Sequence, residues 1–180
     1  MEKTSENPSV CMMSLELLAT KISEWICQNG VDNFHLSKLK PFLEEYEGGD
    51  CSPCTKSSII TYCRHKQKFE IEHCCQVFDI FVLTWRSKGA SPVHNHAKTG
   101  CIYKVVHGEL QEELYDPSKN IKIPTKVTNL KKGECGYIDD ETGFHRIWNP
   151  TDESSVSIHI YETGYKPECF KCYDVPEIEK

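Results

Sequence analysis

The sequence lacks several features that would assign it to a large class of proteins. No apolar run reaches the length that a membrane-spanning helix needs. No block of lysine and arginine forms the basic stripe that is typical of nucleic-acid binding, and the net charge is -6 over 180 residues. The N-terminal stretch MEKTSENPSVCMMS is polar and acidic, unlike a signal or transit peptide. We therefore expect a cytoplasmic protein that binds neither nucleic acid nor membrane.

Cysteine, in contrast, is abundant, with 11 residues in the chain. A secreted disulfide scaffold would be smaller and would carry a signal peptide, and an odd count leaves one thiol over. We expect most of the thiols to be reduced. The two Cys-x-x-Cys pairs, Cys51 with Cys54 and Cys169 with Cys172, are compatible with a shared zinc ion, with a reversible disulfide, or with independent thiols.

The apolar periodicity divides the chain into two parts. From Ser14, a candidate N-cap, apolar residues recur at helical spacing as far as Gly30, and a second amphipathic stretch runs from Leu36 to Tyr46. Pro41 lies inside that stretch and favours the start of a new helix there. We predict one domain over residues 1–180, with a mostly helical part over 1–56 and a β-barrel over 57–180.

The second part is rich in short strand patterns separated by turn residues. The candidates are VFDIFVLTW, CIYKVVHGEL, CGYIDD, HRIWN and SSVSIHIYE. Many short strands without interleaved helices predict an antiparallel sandwich or barrel. The fold class expected is therefore mainly β (α+β), with a small helical N-terminal part.

Two histidines stand two positions apart in SPVHNHAKTGC, and successive side chains alternate between the faces of a strand. His94 and His96 would therefore project to the same side, where two neutral imidazoles could bind Fe, Zn, Cu or Ni. His145, in TGFHRIWN, is a candidate third ligand. Two unrelated surface histidines would give the same spacing, so spacing alone leaves both interpretations open.

The strand SSVSIHIY alternates between an apolar and a polar face. Its polar positions are Ser157, His159 and Tyr161. In an open sandwich these side chains would face water, whereas in a barrel they would line an interior cavity suited to a small molecule.

Taken together, GASPVHNHAKTGCIYKVVHG and TGFHRIWN resemble the two motifs of the cupin superfamily, and more narrowly those of the cysteine dioxygenases. Cys101 stands where the common first motif has an acidic ligand, as it does in the animal-type enzymes of that family. His145 and Asn149 match the histidine and asparagine of the second motif. The resemblance extends from about Leu36 to Tyr161 and implies a cupin-type antiparallel β-barrel, or jelly roll.

The resemblance implies a role for each matching residue. His94, His96 and His145 would bind one Fe(II), and Arg64 would bind the substrate carboxylate beside Tyr62. Cys101 and Tyr161 match a pair that the family joins by a thioether bond. His159 and Ser157 match a relay that hydrogen-bonds toward the Tyr161 hydroxyl, and Trp85 matches a tryptophan that packs nearby.

The implied reaction is the oxidation of L-cysteine by O2 to cysteine sulfinate, a step of cysteine catabolism and taurine biosynthesis, by a monomer. Two other functions are compatible with the sequence: a dioxygenase for another small thiol such as 3-mercaptopropionate, and a non-enzymatic cupin that binds a metal. Relatives that act on 3-mercaptopropionate typically have glutamine at the position of Arg64 and lack the cysteine of the thioether, so both features favour cysteine.

Overall fold

The structure is a computed structural model that describes residues 13–30, 35–51, 77–96, 99–119 and 123–163. For two further strands, residues 62–66 and 172–173, it describes only the backbone. Helix α1 spans Leu15–Asn29; a 3-10 helix over Leu36–Leu39 leads into helix α2, Lys40–Glu45. Within these residues no helix is both long and apolar enough to cross a membrane.

Local sequence signals account for the helix ends. The Ser14 hydroxyl accepts a hydrogen bond from the amide of Leu17, as expected of an N-cap, and the amide of Gly30 closes the C-terminus on the carbonyl of Ile26. Pro41 lies in the first turn of α2, where its missing amide hydrogen costs no helical hydrogen bond. The predicted caps and the predicted new start at Pro41 are confirmed.

The ten described strands form two antiparallel sheets of five. In chain order they are β1 (Tyr62–Lys66), β2 (Phe78–Trp85), β3 (Val93–His94), β4 (Cys101–His107), β5 (Glu109–Tyr115), β6 (Lys126–Lys131), β7 (Cys135–Ile138), β8 (Phe144–Trp148), β9 (Ser155–Glu162) and β10 (Cys172–Tyr173). The first sheet has the order β1-β2-β9-β4-β7 and the second has the order β10-β3-β8-β5-β6. The mainly β architecture predicted from the sequence is confirmed.

Both faces of strands β2, β4 and β9 in the first sheet are buried at nearly every position, whether the side chain is apolar or polar. On one face, alternate residues of β2, β4 and β9 pack with α1 and α2; examples are Ile80, Ile102 and Ile158. The opposite face carries Leu83, Trp85, Cys101, Tyr103 and Tyr161, which cluster with Leu110 and Ile147 of the second sheet. This inner face is where the polar positions of β9 lie.

One charged side chain interrupts the contact between the first sheet and the helices. Lys104, on β4, is 4% exposed, and its ammonium group donates hydrogen bonds to the carbonyls of Leu43, Glu44 and Tyr46 at 2.7, 3.0 and 2.6 Å. These carbonyls lie at the C-terminal end of α2, where helical partners run out. Lys104 therefore ties α2 to the strand that begins with Cys101.

Two strand predictions differ from the structure. CIYKVVHGEL is not one strand: the chain turns at Gly108, whose φ is +72°, and β4 and β5 belong to different sheets. Strand β6, which the sequence analysis did not predict, lies at a sheet edge with five of its six residues not fully buried, and so has no strong apolar pattern.

Candidate metal centre and its surroundings

Three imidazole rings converge between the two sheets. The ring centroids of His94, His96 and His145 are 4.5 to 4.8 Å apart, and one ligand nitrogen from each ring lies within 4.8 Å of the others. His94 and His145 are register partners on β3 and β8, whereas His96 lies in the loop after β3. His96 and His145 are buried and His94 is half-buried, so the cluster has one side toward the solvent.

Hydrogen bonds fix the orientation of two of these rings. Nδ1 of His145 lies 2.9 Å from Oε1 of Glu112, and Nδ1 of His94 lies 2.9 Å from the carbonyl oxygen of Pro92. Because each of these oxygens is an acceptor, the matching tautomer carries its proton on Nδ1 and leaves the lone pair of Nε2 available. Carboxylate and carbonyl partners of this kind are typical of metal-binding histidines.

Burial keeps His96 and His145 in the neutral form that binds metals. It is the main reason that the pKa values of His96 and His145 lie well below the ordinary histidine value, and the neighbouring histidines lower them further. Burial also raises the pKa of the Glu112 carboxyl. Three histidine nitrogens, two of them on rings whose tautomers are set by hydrogen bonds, fit a divalent first-row metal ion.

Cys101 and Tyr161 are direct register partners on β4 and β9. Both are buried and belong to the inner cluster, and side chains paired in this way have Cβ atoms about 5 Å apart. If residues 94–101 formed one uninterrupted strand, Cys101 would lie on the face opposite His96, because the two are five positions apart. Instead, the chain changes sheet between β3 and β4, just after Gly100, whose φ is +80°.

A chain of polar contacts runs along β9 on the same inner face. The indole nitrogen of Trp85 donates to Oγ of Ser157 at 2.8 Å, and that oxygen lies 2.9 Å from Nε2 of His159. Nδ1 of His159 lies 3.5 Å from the Tyr161 hydroxyl and 3.7 Å from Sγ of Cys101. All five residues are buried. The structure therefore brings together every β9 residue that the sequence analysis selected.

Tyr103 is a further aromatic group at this site that the sequence analysis did not select. Its ring is fully buried, stacks on His159 with centroids 5.2 Å apart, and lies edge-on to His145 at 6.1 Å. A Cβ atom added to Gly136 would lie 2.2 Å from the Tyr103 ring. Glycine at position 136 thus leaves the space that the Tyr103 ring occupies.

Comparison with known proteins agrees with this arrangement. Residues 50–174 match the family model of cysteine dioxygenase type I. The chain belongs to the cysteine dioxygenase type I family. It is 32% identical to cysteine dioxygenase type 1 of Homo sapiens and 33% identical to that of Bos taurus, each over 138 residues that cover 74% of this chain and 68% of the relative.

A solved cupin-2 domain from Rhodospirillum rubrum is also similar, with a TM-score of 0.48 and 10% identity over 64% of this chain and 67% of that one. Family membership and the two packed antiparallel sheets assign the fold as a cupin β-sandwich. With the three-histidine cluster, they make the protein a dioxygenase of the cysteine dioxygenase family with a metal site of that family's type.

Some of the predicted residues lie outside what the structure describes. Tyr62 and Arg64 are on β1, where only the backbone is described; Arg64 is the register partner of Leu83, which belongs to the inner cluster. The zinc hypothesis is not tested, because Cys54 and Cys169 are outside the described residues and only the backbone of Cys172 is described.

Glu112 and Asp140 also contact the candidate ligands, and the sequence analysis selected neither. Glu112 accepts from His145, which is 33 positions away, and Asp140 accepts a hydrogen bond from the backbone amide of His96, which is 44 positions away. The alternation of β5, with Leu110 and Leu114 on the inner face, could have indicated that Glu112 points inward too. Asp140 lies in a turn and has no such signal.

Proposed function

We propose that this protein oxidises L-cysteine with O2 at an Fe(II) centre held by His94, His96 and His145. Both atoms of O2 are added to the thiol sulfur and the product is cysteine sulfinate, so the reaction balances without a further reductant. The observation that carries the proposal is the convergence of His94, His96 and His145, in a chain of the cysteine dioxygenase family that also pairs Cys101 with Tyr161.

The three histidines would hold the metal without contributing negative charge. A bound Fe(II) would keep its full dipositive charge for the substrate thiolate and would supply the redox chemistry that O2 needs. Glu112 would orient His145 through Nδ1, and the Pro92 carbonyl would do the same for His94. Zinc in the same cluster could bind a thiolate but is redox-inert.

The contacts along β9 determine which hydrogen-bond donor faces the Tyr161 hydroxyl. The indole of Trp85 is a donor only, so Ser157 must accept from it. When the Ser157 hydroxyl donates a hydrogen bond to Nε2 of His159, the neutral imidazole carries its proton on Nδ1. That proton then points toward the Tyr161 oxygen, 3.5 Å away, and toward Cys101. The relay would thereby hold the phenol oxygen in place beside the substrate.

Arg64 and Tyr62 complete the proposal on the substrate side. A guanidinium group can bind a carboxylate through two parallel hydrogen bonds, and the family resemblance assigns this role to Arg64 with Tyr62 beside it. We also propose that Cys101 and Tyr161 become joined by a thioether, which would remove rotamer freedom from the phenol. The protein would act as a monomer in the cytoplasm, in cysteine catabolism and taurine biosynthesis.

The test is an oxygen-electrode assay of the iron-loaded protein with L-cysteine, cysteamine and 3-mercaptopropionate, with the product identified by mass spectrometry. We expect one O2 consumed per cysteine, formation of cysteine sulfinate, and much slower uptake with the other two thiols. His145→Ala should lose bound iron and turnover, whereas the matched control His107→Ala, at an exposed position at the end of β4, should retain both.

Each alternative function has its own result in this assay. Faster turnover of 3-mercaptopropionate than of cysteine would assign the protein to that substrate. Stoichiometric iron without O2 uptake with any of the three thiols would support a metal-binding cupin instead. Full iron occupancy in His145→Ala would remove that residue from the ligand set.

A further inference from the structure

The loop between β3 and β4 carries an unusual share of the chemistry. His94 ends the strand before it, His96 lies within it, and Cys101 begins the strand after it, so two candidate ligands and the cysteine paired with Tyr161 lie within eight positions. Yet β3 has only two residues, and its pairing with β8 is the single register pair His94 with His145. Sheet hydrogen bonds therefore do not account for the position of His96.

The amide of His96 finds its acceptor elsewhere. It donates to Oδ1 of Asp140 at 2.9 Å, across 44 positions of sequence. A backbone amide at a buried residue needs such a partner, and a carboxylate is the strongest acceptor that a side chain offers. Asp140 lies in the turn between β7 and β8, five positions before His145.

The turn does not require Asp140 for its own geometry. The neighbouring Asp139 does that work: its Oδ1 accepts from the amide and hydroxyl of Thr142 at 2.8 and 2.6 Å. Oδ2 of Asp139 accepts from the Tyr137 hydroxyl at 3.0 Å, and that hydroxyl also lies 3.4 Å from the carbonyl of Thr99. The two adjacent carboxylates thus have different tasks, one within the turn and one across to the ligand loop.

Close packing at the end of the loop reinforces this contact. A Cβ atom on Gly100 would lie 2.4 Å from the carbonyl oxygen of Ile138, so the loop backbone lies directly against the end of β7. The end of β7 therefore contacts the loop at Gly100 and Thr99, and the turn that follows contacts it at His96. Of these contacts, only the Asp140 carboxylate acts on a candidate metal ligand itself.

We propose that Asp140 is a positioning residue for the metal centre. By holding the backbone of His96 to the turn that leads into His145, its carboxylate fixes the separation of two ligands contributed by distant parts of the chain. The inference rests on the three-histidine metal site of the proposed function, but not on the identity of the thiol substrate.

The test is titration of the metal-free protein with Co(II), followed by the visible d–d bands, which respond to ligand geometry. Loss of a partner that orients a ligand typically lowers metal affinity 10- to 100-fold, so for Asp140→Ala we expect a Kd raised about tenfold or more and altered bands. Asp140→Asn keeps an oxygen acceptor and should remain within about threefold of the wild type. Glu141→Ala, an exposed acid in the same turn, is the matched control.

The thermal midpoint of each metal-free variant separates positioning from general stability. The proposal expects Asp140→Ala to lose Co(II) affinity beyond any change in that midpoint. Wild-type affinity and bands in Asp140→Ala would overturn it, as would an equal loss in Asp140→Asn, which would assign the effect to charge.

Further outcomes separate this inference from the proposed function. If Asp140→Ala does not fold, Asp140→Glu decides, because it keeps the charge and moves the acceptor by one methylene: altered bands would support the proposal and unchanged bands would overturn it. A wild-type protein that does not bind Co(II) would overturn the metal site together with this inference. A wild type that binds Co(II) but does not oxidise cysteine would overturn only the proposed substrate.

Discussion

Lys104→Met is the substitution whose effect on stability the structure defines most directly. It removes an ammonium group that donates to three backbone carbonyls at 2.6 to 3.0 Å, while most of the aliphatic stem is retained. Burial lowers the pKa of Lys104, so the charge itself is held at a cost. The net effect depends on whether the lost hydrogen bonds outweigh the relieved desolvation.

The three backbone carbonyls determine whether Lys104→Met lowers or raises the free energy of unfolding. A hydrogen bond to a charged group contributes about 1.5 to 3 kcal/mol, so three give roughly 5 to 9 kcal/mol before desolvation is subtracted. Removing the ammonium from water costs several kcal/mol, which methionine does not incur. The acceptors at the end of α2 remain, however, and methionine cannot satisfy them. We expect a net loss of about 3 kcal/mol in the free energy of unfolding.

The assay is urea denaturation of the metal-free protein, followed by far-UV circular dichroism. A thermal melt of the same variant is a second measurement: for a chain of this size, a loss of about 3 kcal/mol corresponds to a fall of about 6 to 12 °C in the thermal midpoint. The matched control is Lys132→Met, at an exposed turn position, which should change stability by less than about 0.5 kcal/mol. If the unfolding free energy of Lys104→Met lies within about 0.5 kcal/mol of the wild-type value, the carbonyl contacts do not stabilise the fold and the reasoning is refuted.

Three further predictions concern the site. Because His96 and His145 have folded-state pKa values below the unfolded value of about 6.5, the unfolded chain takes up protons first on acidification. Between pH 7.5 and 5.5 the metal-free protein should therefore lose up to about 2 to 3 kcal/mol of unfolding free energy through these two residues. In the double variant His96→Gln/His145→Gln, the free energy of unfolding should fall less over the same pH range. Identical pH curves for this variant and the wild type would contradict the assignment of the effect to these two histidines. After aerobic turnover with iron and cysteine, the intact protein should be lighter by two hydrogen atoms, and peptide mapping should locate the link between Cys101 and Tyr161. Cys101→Ser should keep its iron and part of its activity; unlinked peptides alone in the wild type would refute the thioether but not the iron site. Arg64→Gln should lower kcat/KM for cysteine by an amount that corresponds to about 2 to 4 kcal/mol of lost transition-state stabilisation, and it should bring the kcat/KM values for cysteine and 3-mercaptopropionate closer together. An unchanged ratio of these two kcat/KM values would exclude Arg64 as the carboxylate site.

Local signals predicted the elements whose causes are local. Ser14 and Gly30 cap the two ends of α1, and Pro41 lies in the first turn of α2, because capping and a missing amide act within a few residues. The alternation of β9 likewise predicted that Ser157 and His159 share a face. That this face is interior and not exposed needed the second sheet, since alternation alone does not identify what covers each side.

The polar residues that hold the site together were not predictable in this way. Lys104, Glu112 and Asp140 find their partners 33 to 61 positions away in sequence. The alternation of β5 could have indicated that Glu112 points inward, but no local signal names the partner of any of the three, because folding brings that partner from a distant part of the chain. Strand β6 was missed for a related reason: an exposed edge strand does not need an apolar face.

The change of sheet after His96 explains why one short loop can serve two purposes. His94 belongs to the second sheet and Cys101 to the first, so each side chain can point inward from its own sheet without sharing a strand face. The crossing requires a backbone that turns sharply and lies directly against Ile138, and Gly100 meets both needs, with a φ of +80° and no Cβ to strike the carbonyl. The Cys101 thiol therefore does not share a strand with His94. It reaches Tyr161 because the loop delivers it to the facing sheet, at the register position directly opposite that tyrosine.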